Sequence, residues 1–172
     1  LGNPALSVLA DAYVKGIRTY DTEKAYQYAV NTSRKFGNDS LGYTPETLSI
    51  SYTLEYAYAD WCVSQLAKAM GKEEDAMHFY EKGQAYHHIF DKEKGWFRPR
   101  NADGSWVAWS EDALTKEWYG CIESNAYQQG WFVPHDVPGM VELMGGKEKV
   151  IADLTNMFDK TPSNLLWNSY YN

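Results

Sequence analysis

Apolar residues recur at helical spacing in three stretches of the chain, each followed by a short turn and a second helix that opens near acidic residues. In the clearest stretch, Leu54, Ala57, Trp61, Leu66 and Ala69 fall largely on one face at steps of three to five, which predicts a helix over residues 53–70. A turn at Gly71 and a second helix over residues 73–90 complete that pair. Residues 4–15 and 22–35 make the first pair, with Pro4 suited to a first helical turn and Asp21 followed by Glu23 supplying an N-cap and a favourable charge at the helix dipole. Residues 137–144 and 147–158 make the third, opened by Asp136 as N-cap with Pro138 in the first turn. Gly71 and Gly145 read as left-handed helix terminators.

The words Met70-Gly71-Lys72-Glu73 and Met144-Gly145-Gly146-Lys147-Glu148 are alike, but their irregular separation does not make a short-period solenoid. The pattern therefore reads as all-α, a set of αα-hairpins forming part of an (α/α)6 toroid with insertions. Between the second and third pairs runs a connection over residues 91–122, rich in tryptophan and carrying Gly95, Pro99, Gly104 and Gly120. Loops of that length inside a compact domain usually build a site, so this aromatic-rich loop is expected to line a cleft.

Composition narrows the partners. At 172 residues the chain can bury the core of one domain, and its formal net charge of −7 argues against nucleic acid or an anionic membrane surface, both of which need a basic patch. No apolar run approaches the ~18 residues of a membrane span. Cys62 and Cys121 match neither a metal spacing nor a redox motif and read as buried free thiols. Aromatic residues reach 16%. Flat rings suit the C–H faces of sugars, although a large core uses the same residues.

The chemistry-bearing stretch is residues 123–136, where Glu123 precedes Asn125, Tyr127, Gln128 and Trp131. A carboxyl group desolvated by aromatic neighbours holds its proton toward neutral pH, and amides satisfy sugar hydroxyls without adding charge; plain helix packing competes with that reading. A second stretch, Phe97 to Trp106, places Arg98, Arg100, Asn101 and Asp103 around an Asp103-Gly104 turn, either to order the turn or to hold a sugar. Aligned as an EF-hand, it puts Pro99 and Ser110 at ligand positions, which rejects that motif. His78, His87 and His88 lack zinc spacing, and no nucleophile elbow, P-loop or dinucleotide fingerprint occurs. Asp60 stands beside an apolar stripe, either facing a polar toroid centre or anchoring a neighbouring loop through buried hydrogen bonds.

Several longer words join these features: Thr53-Leu54-Glu55-Tyr56-Ala57-Tyr58-Ala59-Asp60-Trp61-Cys62, Arg98-Pro99-Arg100-Asn101-Ala102-Asp103-Gly104-Ser105-Trp106, Glu123-Ser124-Asn125-Ala126 and Trp131-Phe132-Val133-Pro134-His135-Asp136. With Leu1-Gly2-Asn3-Pro4-Ala5 and Ala10-Asp11-Ala12-Tyr13, they resemble glycoside hydrolase family 92, the calcium-dependent, exo-acting alpha-mannosidases, over essentially the whole chain. The resemblance implies an (α/α)6 toroid packed against a β-sandwich, and an inverting reaction on mannose-containing glycans, with α-1,2 linkages favoured and N-glycan degradation as the setting. It implies Glu123 as general acid, with Arg98, Asn101, Asn125 and Gln128 as substrate-binding residues. Tyr127 stands where the family more often has Trp, which bears on sugar packing rather than on the acid.

The resemblance also implies a general-base Asp in a downstream glycine- and acid-rich word that this sequence lacks. The chain stops at Trp167-Asn168-Ser169-Tyr170-Tyr171-Asn172, where the family would continue into another site-forming segment. The expectation is a central portion of a catalytic domain, truncated at both ends and inactive alone. Calcium is expected to be held by the larger protein, so no metal ligand is assigned here. A periplasmic or secreted bacterial location follows from the same resemblance. Helices meant for absent neighbours would expose apolar stripes and favour self-association. Two rival readings remain: a non-catalytic helical scaffold or sugar-binding module, and a toroidal enzyme for acidic sugars using Arg98 and Arg100 as carboxylate ligands.

Overall fold

A computed structural model describes residues 3–36, 40–45 and 48–160; the words quoted at Leu1-Gly2 and at residues 167–172 lie partly or wholly outside them. Helices α1 (Ala5–Val14), α2 (Thr22–Phe36), α3 (Ser49–Ala69) and α4 (Glu73–Lys82) are followed by a 3-10 turn at Ala85–Ile89. Two short strands, β1 (Phe90–Asp91) and β2 (Trp96–Phe97), pair antiparallel, and the one-turn helix α5 (Ala126–Gln129), α6 (Val137–Leu143) and α7 (Lys147–Lys160) complete the order. The chain divides into two compact units. One comprises Leu1–Tyr43 and Thr53–Tyr86, the other Thr44–Tyr52 and His87–Asn172, so the first turn of α3 belongs to the second unit.

All three predicted hairpins are present, and each first helix ends in the same way. Gly16, Gly71 and Gly145 have φ of +86, +73 and +102°. At each, the following residue's N–H reaches back five residues to a carbonyl: Ile17 to Ala12 at 2.9 Å, Lys72 to Ala67 at 2.9 Å, Gly146 to Val141 at 2.8 Å. This Schellman closure satisfies carbonyls that the helix end leaves open, and glycine adopts the left-handed residue without a Cβ clash. Helix starts in all three hairpins follow the sequence as well. Asp21 Oδ1 accepts the Lys24 N–H at 3.0 Å, Asp136 Oδ1 accepts the Gly139 N–H at 2.9 Å, and α4 carries Glu73, Glu74 and Asp75 in its first turn.

In the first unit, Leu6 and Ala10 of α1, Tyr26 and Val30 of α2, Val63 and Leu66 of α3, and Phe79 of α4 form one buried cluster. Polar groups cross-link the same helices. Asp60, 3% exposed, accepts from Ser33 Oγ and lies 3.6 Å from Lys82 Nζ, so α3 is tied to both α2 and α4. That favours an anchoring role for Asp60, toward two helices rather than a loop, since a buried carboxylate without partners would cost several kcal/mol. Ser64 Oγ donates to the Ala76 carbonyl at 2.8 Å and adds a second link between α3 and α4. Cys62 and Cys121 are free and buried, as their surroundings in sequence suggest.

One expectation is corrected. Helix α4 ends at Lys82 rather than at residue 90: the Gly83 N–H still reaches the Phe79 carbonyl at 3.0 Å, but the Gln84 N–H reaches only to that of Glu81 and the backbone tightens into the 3-10 turn. Tyr86, Ile89 and Phe90 beyond it are still buried, but from a 3-10 turn and a strand, whose spacing imitates helical periodicity. The aromatic-rich 91–122 connection is internally ordered. It is two successive ordered turns and a third irregular segment, each closed by its own hydrogen bonds.

Candidate active site

The first of these turns is organised by Asp91. Its Oδ1 accepts the Glu93 N–H at 2.9 Å and the Lys94 N–H at 3.3 Å, which closes the β1–β2 connection, while Oδ2 accepts Arg98 Nη1 at 2.8 Å. Burial by itself would raise the Asp91 carboxyl; the hydrogen bonds from Arg98 and the two backbone amides outweigh it and hold the group below its ordinary range. Arg98 Nε also donates to the Val107 carbonyl at 2.8 Å, and its side chain is 13% exposed. Arg98 therefore fastens β2 to the return limb of the next turn.

That next turn runs from Pro99 to Val107. The Val107 N–H donates to the Pro99 carbonyl at 3.0 Å and the Asn101 N–H to the Ser105 carbonyl at 2.8 Å, with Gly104 at φ +86°. Asp103 accepts from the Ser105 N–H and hydroxyl at 2.9 and 2.7 Å, and these bonds lower its carboxyl. Asn101 Nδ2 donates to Ser105 Oγ at 3.0 Å. Arg100 spends Nε on the Gly104 carbonyl at 2.8 Å and Nη1 on the His88 carbonyl at 2.9 Å, with its guanidinium 5.0 Å from the Trp106 ring centre. Both guanidinium groups thus have defined structural duties, which weakens the reading of this turn as a carboxylate receptor for acidic sugars.

Glu123 sits on a different kind of backbone. Its φ is +53°, and with Trp118 at +63° it is one of two non-glycine residues with positive φ among the described residues. Such a conformation costs energy for a residue with a Cβ and often accompanies function. The Glu123 side chain is exposed. The aromatic shielding expected from Tyr127 and Trp131 is directed elsewhere: both rings meet Trp96 edge-on, at centre distances of 5.4 and 5.0 Å. Tyr127 Oη donates to the Asp153 carbonyl at 2.9 Å and Trp131 Nε1 to Met157 Sδ at 3.2 Å, so these two residues attach α5 and the turn after it to α7.

The amides of the same word divide in role. Asn125 is buried at 4% exposure and caps α5, its Oδ1 accepting the Gln128 N–H at 3.0 Å. Gln128 is half-buried on that one-turn helix. Asn125 thus shapes the segment that carries Glu123, while Glu123 faces outward.

The structure brings the two candidate segments together on the first turn of α3, through residues the sequence did not single out. Ser49 Oγ accepts the Arg100 N–H at 3.3 Å, and Ser51 Oγ accepts the Ile122 N–H at 3.0 Å. Gly120 packs against both neighbours, since a Cβ there would stand 2.9 Å from Ile50 and from Pro99 Cγ. No pattern in the sequence marks two serines in a helical first turn as anchors; only the partners do. Beside Ile122, burial pushes the Cys121 thiol up to about 12 against hydrogen bonds from Ser51 and Ser124 that lower it, which leaves it an inert packing group.

A separate groove of about 810 Å³ lies in the second unit between the 3-10 turn, the β1–β2 connection and α6, with His87, Lys92, Asp136, Glu142 and Lys149 on its walls. Among the described residues, no group of three or more His, Cys, Asp or Glu could hold a metal ion. Calcium takes six to eight oxygen ligands, whereas Asp60, Asp91, Asp103 and Asp136 are each directed at a structural partner. Among the described residues the donor set does not fit the ion. No helix among the described residues is long and apolar enough to cross a membrane.

Comparison with known proteins agrees with this architecture. A sequence model of the glycosyl hydrolase family 92 catalytic domain matches residues 1–172. A family GH92 alpha-mannosidase from Bacteroides thetaiotaomicron is 34% identical with a TM-score of 0.83, over 92% of this chain and 22% of its own. A family GH92 inverting mannosidase from the same organism is 33% identical with a TM-score of 0.86, over 95% of this chain and 24% of its own. An uncharacterized secreted glycosidase from Arthroderma benhamiae is 30% identical over 212 residues, which takes in 96% of this chain and 27% of the relative. The chain thus spans about a quarter of the length of these relatives, and the hairpins expected of an (α/α)6 toroid are borne out by the likeness to the two mannosidase structures.

Proposed function

The chain belongs to glycosyl hydrolase family 92, and from that premise we propose that it supplies the general acid, Glu123, of a larger inverting, exo-acting alpha-mannosidase. The observation that carries this reading is the exposed Glu123 carboxylate, held at φ +53° on a segment anchored on both sides. A side chain kept in a costly backbone conformation and turned outward on a rigid support has the properties of a preorganised reacting group.

In the proposed reaction, the protonated Glu123 carboxyl donates to the glycosidic oxygen as its bond to C1 of mannose breaks. A water attacks C1 from the opposite face and gives its proton to a second carboxylate, so mannose leaves with inverted configuration. That geometry requires the two carboxyl groups to stand about 6.5–9.5 Å apart. The second carboxylate comes from outside these 172 residues, as does the calcium site, and the chain alone is inactive. The substrate is a mannose-terminated glycan with an α-1,2 linkage, met outside the cell; the relatives named as mannosidases and as a secreted glycosidase support this choice. Of the remaining candidates, we assign Asn101 and Gln128 to sugar hydroxyls, while Arg98 and Asn125 act by shaping the two segments.

Mannose release from an α-1,2-mannobiose with excess calcium tests the reading. The larger protein should turn it over and the 172-residue chain should not. Glu123→Gln in the larger protein should lower turnover by about 10²–10⁴-fold while mannoside binding measured by calorimetry is retained. Wild-type turnover by that variant would remove Glu123 from the role, and robust turnover by the chain alone would place a complete catalytic pair within it.

A further inference from the structure

Glu123 owes its place to groups that carry no chemistry of their own. Upstream, Ser51 lies fully buried in the first turn of α3 and meets the incoming segment at three successive residues, the Cys121 thiol among them. Its N–H donates to the Gly120 carbonyl at 3.0 Å, and its Oγ accepts the Ile122 N–H at 3.0 Å. Ile122 is the residue immediately before Glu123. Downstream, the Asn125 cap, the Trp96 Nε1 bond to the Ala126 carbonyl at 2.8 Å, and the Tyr127 N–H bond to the Leu114 carbonyl at 2.9 Å hold the start of α5. Between these anchors lie only Glu123 and Ser124, and Ser124 Oγ turns back to the Ile122 carbonyl at 3.2 Å.

A left-handed glutamate relaxes toward an ordinary conformation unless both flanks are fixed. The downstream flank is held by several bonds to different elements. On the upstream flank the hydrogen bonds of Gly120, Cys121 and Ile122 converge on Ser51, and only the last of these holds the peptide that enters Glu123. The Ser51 N–H contact is a backbone bond that survives substitution, whereas the hydroxyl contact does not.

We propose that Ser51 is a positioning residue for the general acid: by accepting the Ile122 N–H, its hydroxyl sets the direction in which the Glu123 carboxyl meets the glycosidic oxygen. The proposal rests on the reading of Glu123 as that acid. Without the hydroxyl, the peptide before Glu123 loses its fixed point and the carboxyl drifts from its productive position. A displacement on the order of 1 Å at a reacting group can cost about 10²-fold in rate. The loss falls on protonation alone, so it depends on how much the leaving group needs a proton.

Ser49 provides a matched control. It is equally buried, lies on the same helical turn, and anchors the Arg100 N–H of the other segment. In the larger protein, kcat and KM are measured on an unactivated mannobiose and on a dinitrophenyl mannoside, whose leaving group departs without help. Ser51→Ala is expected to lower kcat on mannobiose by about ten- to a hundredfold, with KM and the dinitrophenyl rate near wild type. Ser51→Thr, which keeps the hydroxyl, should recover most of the mannobiose rate. Ser49→Ala should lower the melting temperature and leave the ratio of the two rates unchanged.

Equal losses on both substrates in Ser51→Ala, or an unchanged ratio, would overturn the proposal. If the alanine variant does not fold, Ser51→Cys, a weaker acceptor of similar size, must show the same substrate-dependent loss in smaller measure or the proposal fails. Glu123→Gln in the same assay separates the two levels. If that variant loses mannobiose turnover selectively and Ser51→Ala does not, only the positioning role falls; if Glu123→Gln shows no such selectivity, the general-acid reading falls and this one with it.

Discussion

Arg98 reads in the sequence as a sugar ligand, and in the fold its Nη1 and Nε are directed at Asp91 and Val107. Both members of the ion pair are largely buried, at 13% and 6% side-chain exposure. Removing the guanidinium leaves a carboxylate in a poorly solvated place, so Arg98→Ala should cost about 3–5 kcal/mol in urea denaturation. The pH dependence has a definite sign. Asp91 is held below its ordinary range, so the stability it contributes is complete above the unfolded value near 4 and is lost as pH falls through its lower folded value. The difference between wild type and Arg98→Ala should therefore narrow as pH falls below about 4; a difference independent of pH would mean that the arginine acts through packing alone. The type of residue was legible here and its partner was not. Asp91 carries no motif, and seven residues separate it from Arg98 in sequence.

At the scale of elements, glycines distinguish two kinds of constraint. Gly16 ends α1 in a left-handed turn with nothing within 4 Å of a Cβ, so Gly16→Ala adds mainly backbone strain, about 1–2 kcal/mol. Gly120 has φ +75° and a Cβ there would also press on Ile50 and Pro99 at 2.9 Å. Gly120→Ala should cost about 1–3 kcal/mol more than Gly16→Ala, measured by thermal or urea unfolding, because overpacking adds to the strain. Equal costs would mean that Ile50 and Pro99 move aside freely. The helix ends at Gly71 and Gly145 were readable because the terminator acts locally, through residues adjacent in sequence. The end of α4 at Lys82 was not, because Phe79, Tyr86, Ile89 and Phe90 are all buried and preserve an apolar rhythm through a change of backbone.

At the scale of the whole molecule, apolar side chains stand exposed in both units: Val8, Tyr28, Met77 and Tyr80 in the first, Val137, Ile151 and Phe158 in the second. Such surface favours association when it is contiguous. The chain by itself should self-associate, which sedimentation velocity across a range of concentrations would reveal; a stable monomer with a cooperative melt would count against this. The sequence by itself determined the hairpins, their glycine turns and acidic caps and the family resemblance, because each depends on residue types at short, regular spacing; through that resemblance it also offered Glu123 as the candidate acid. Tertiary structure alone decided that Tyr127 and Trp131 pack with Trp96 while Glu123 stays exposed, that Arg98 belongs to Asp91, and that Ser51 holds the peptide before the acid. Those facts depend on which distant group meets a given donor or ring. Glu123 carries the proposed chemistry, but Ser51, more than seventy residues upstream by the 71-residue separation of its bond to Ile122, fixes the backbone on which that carboxyl stands.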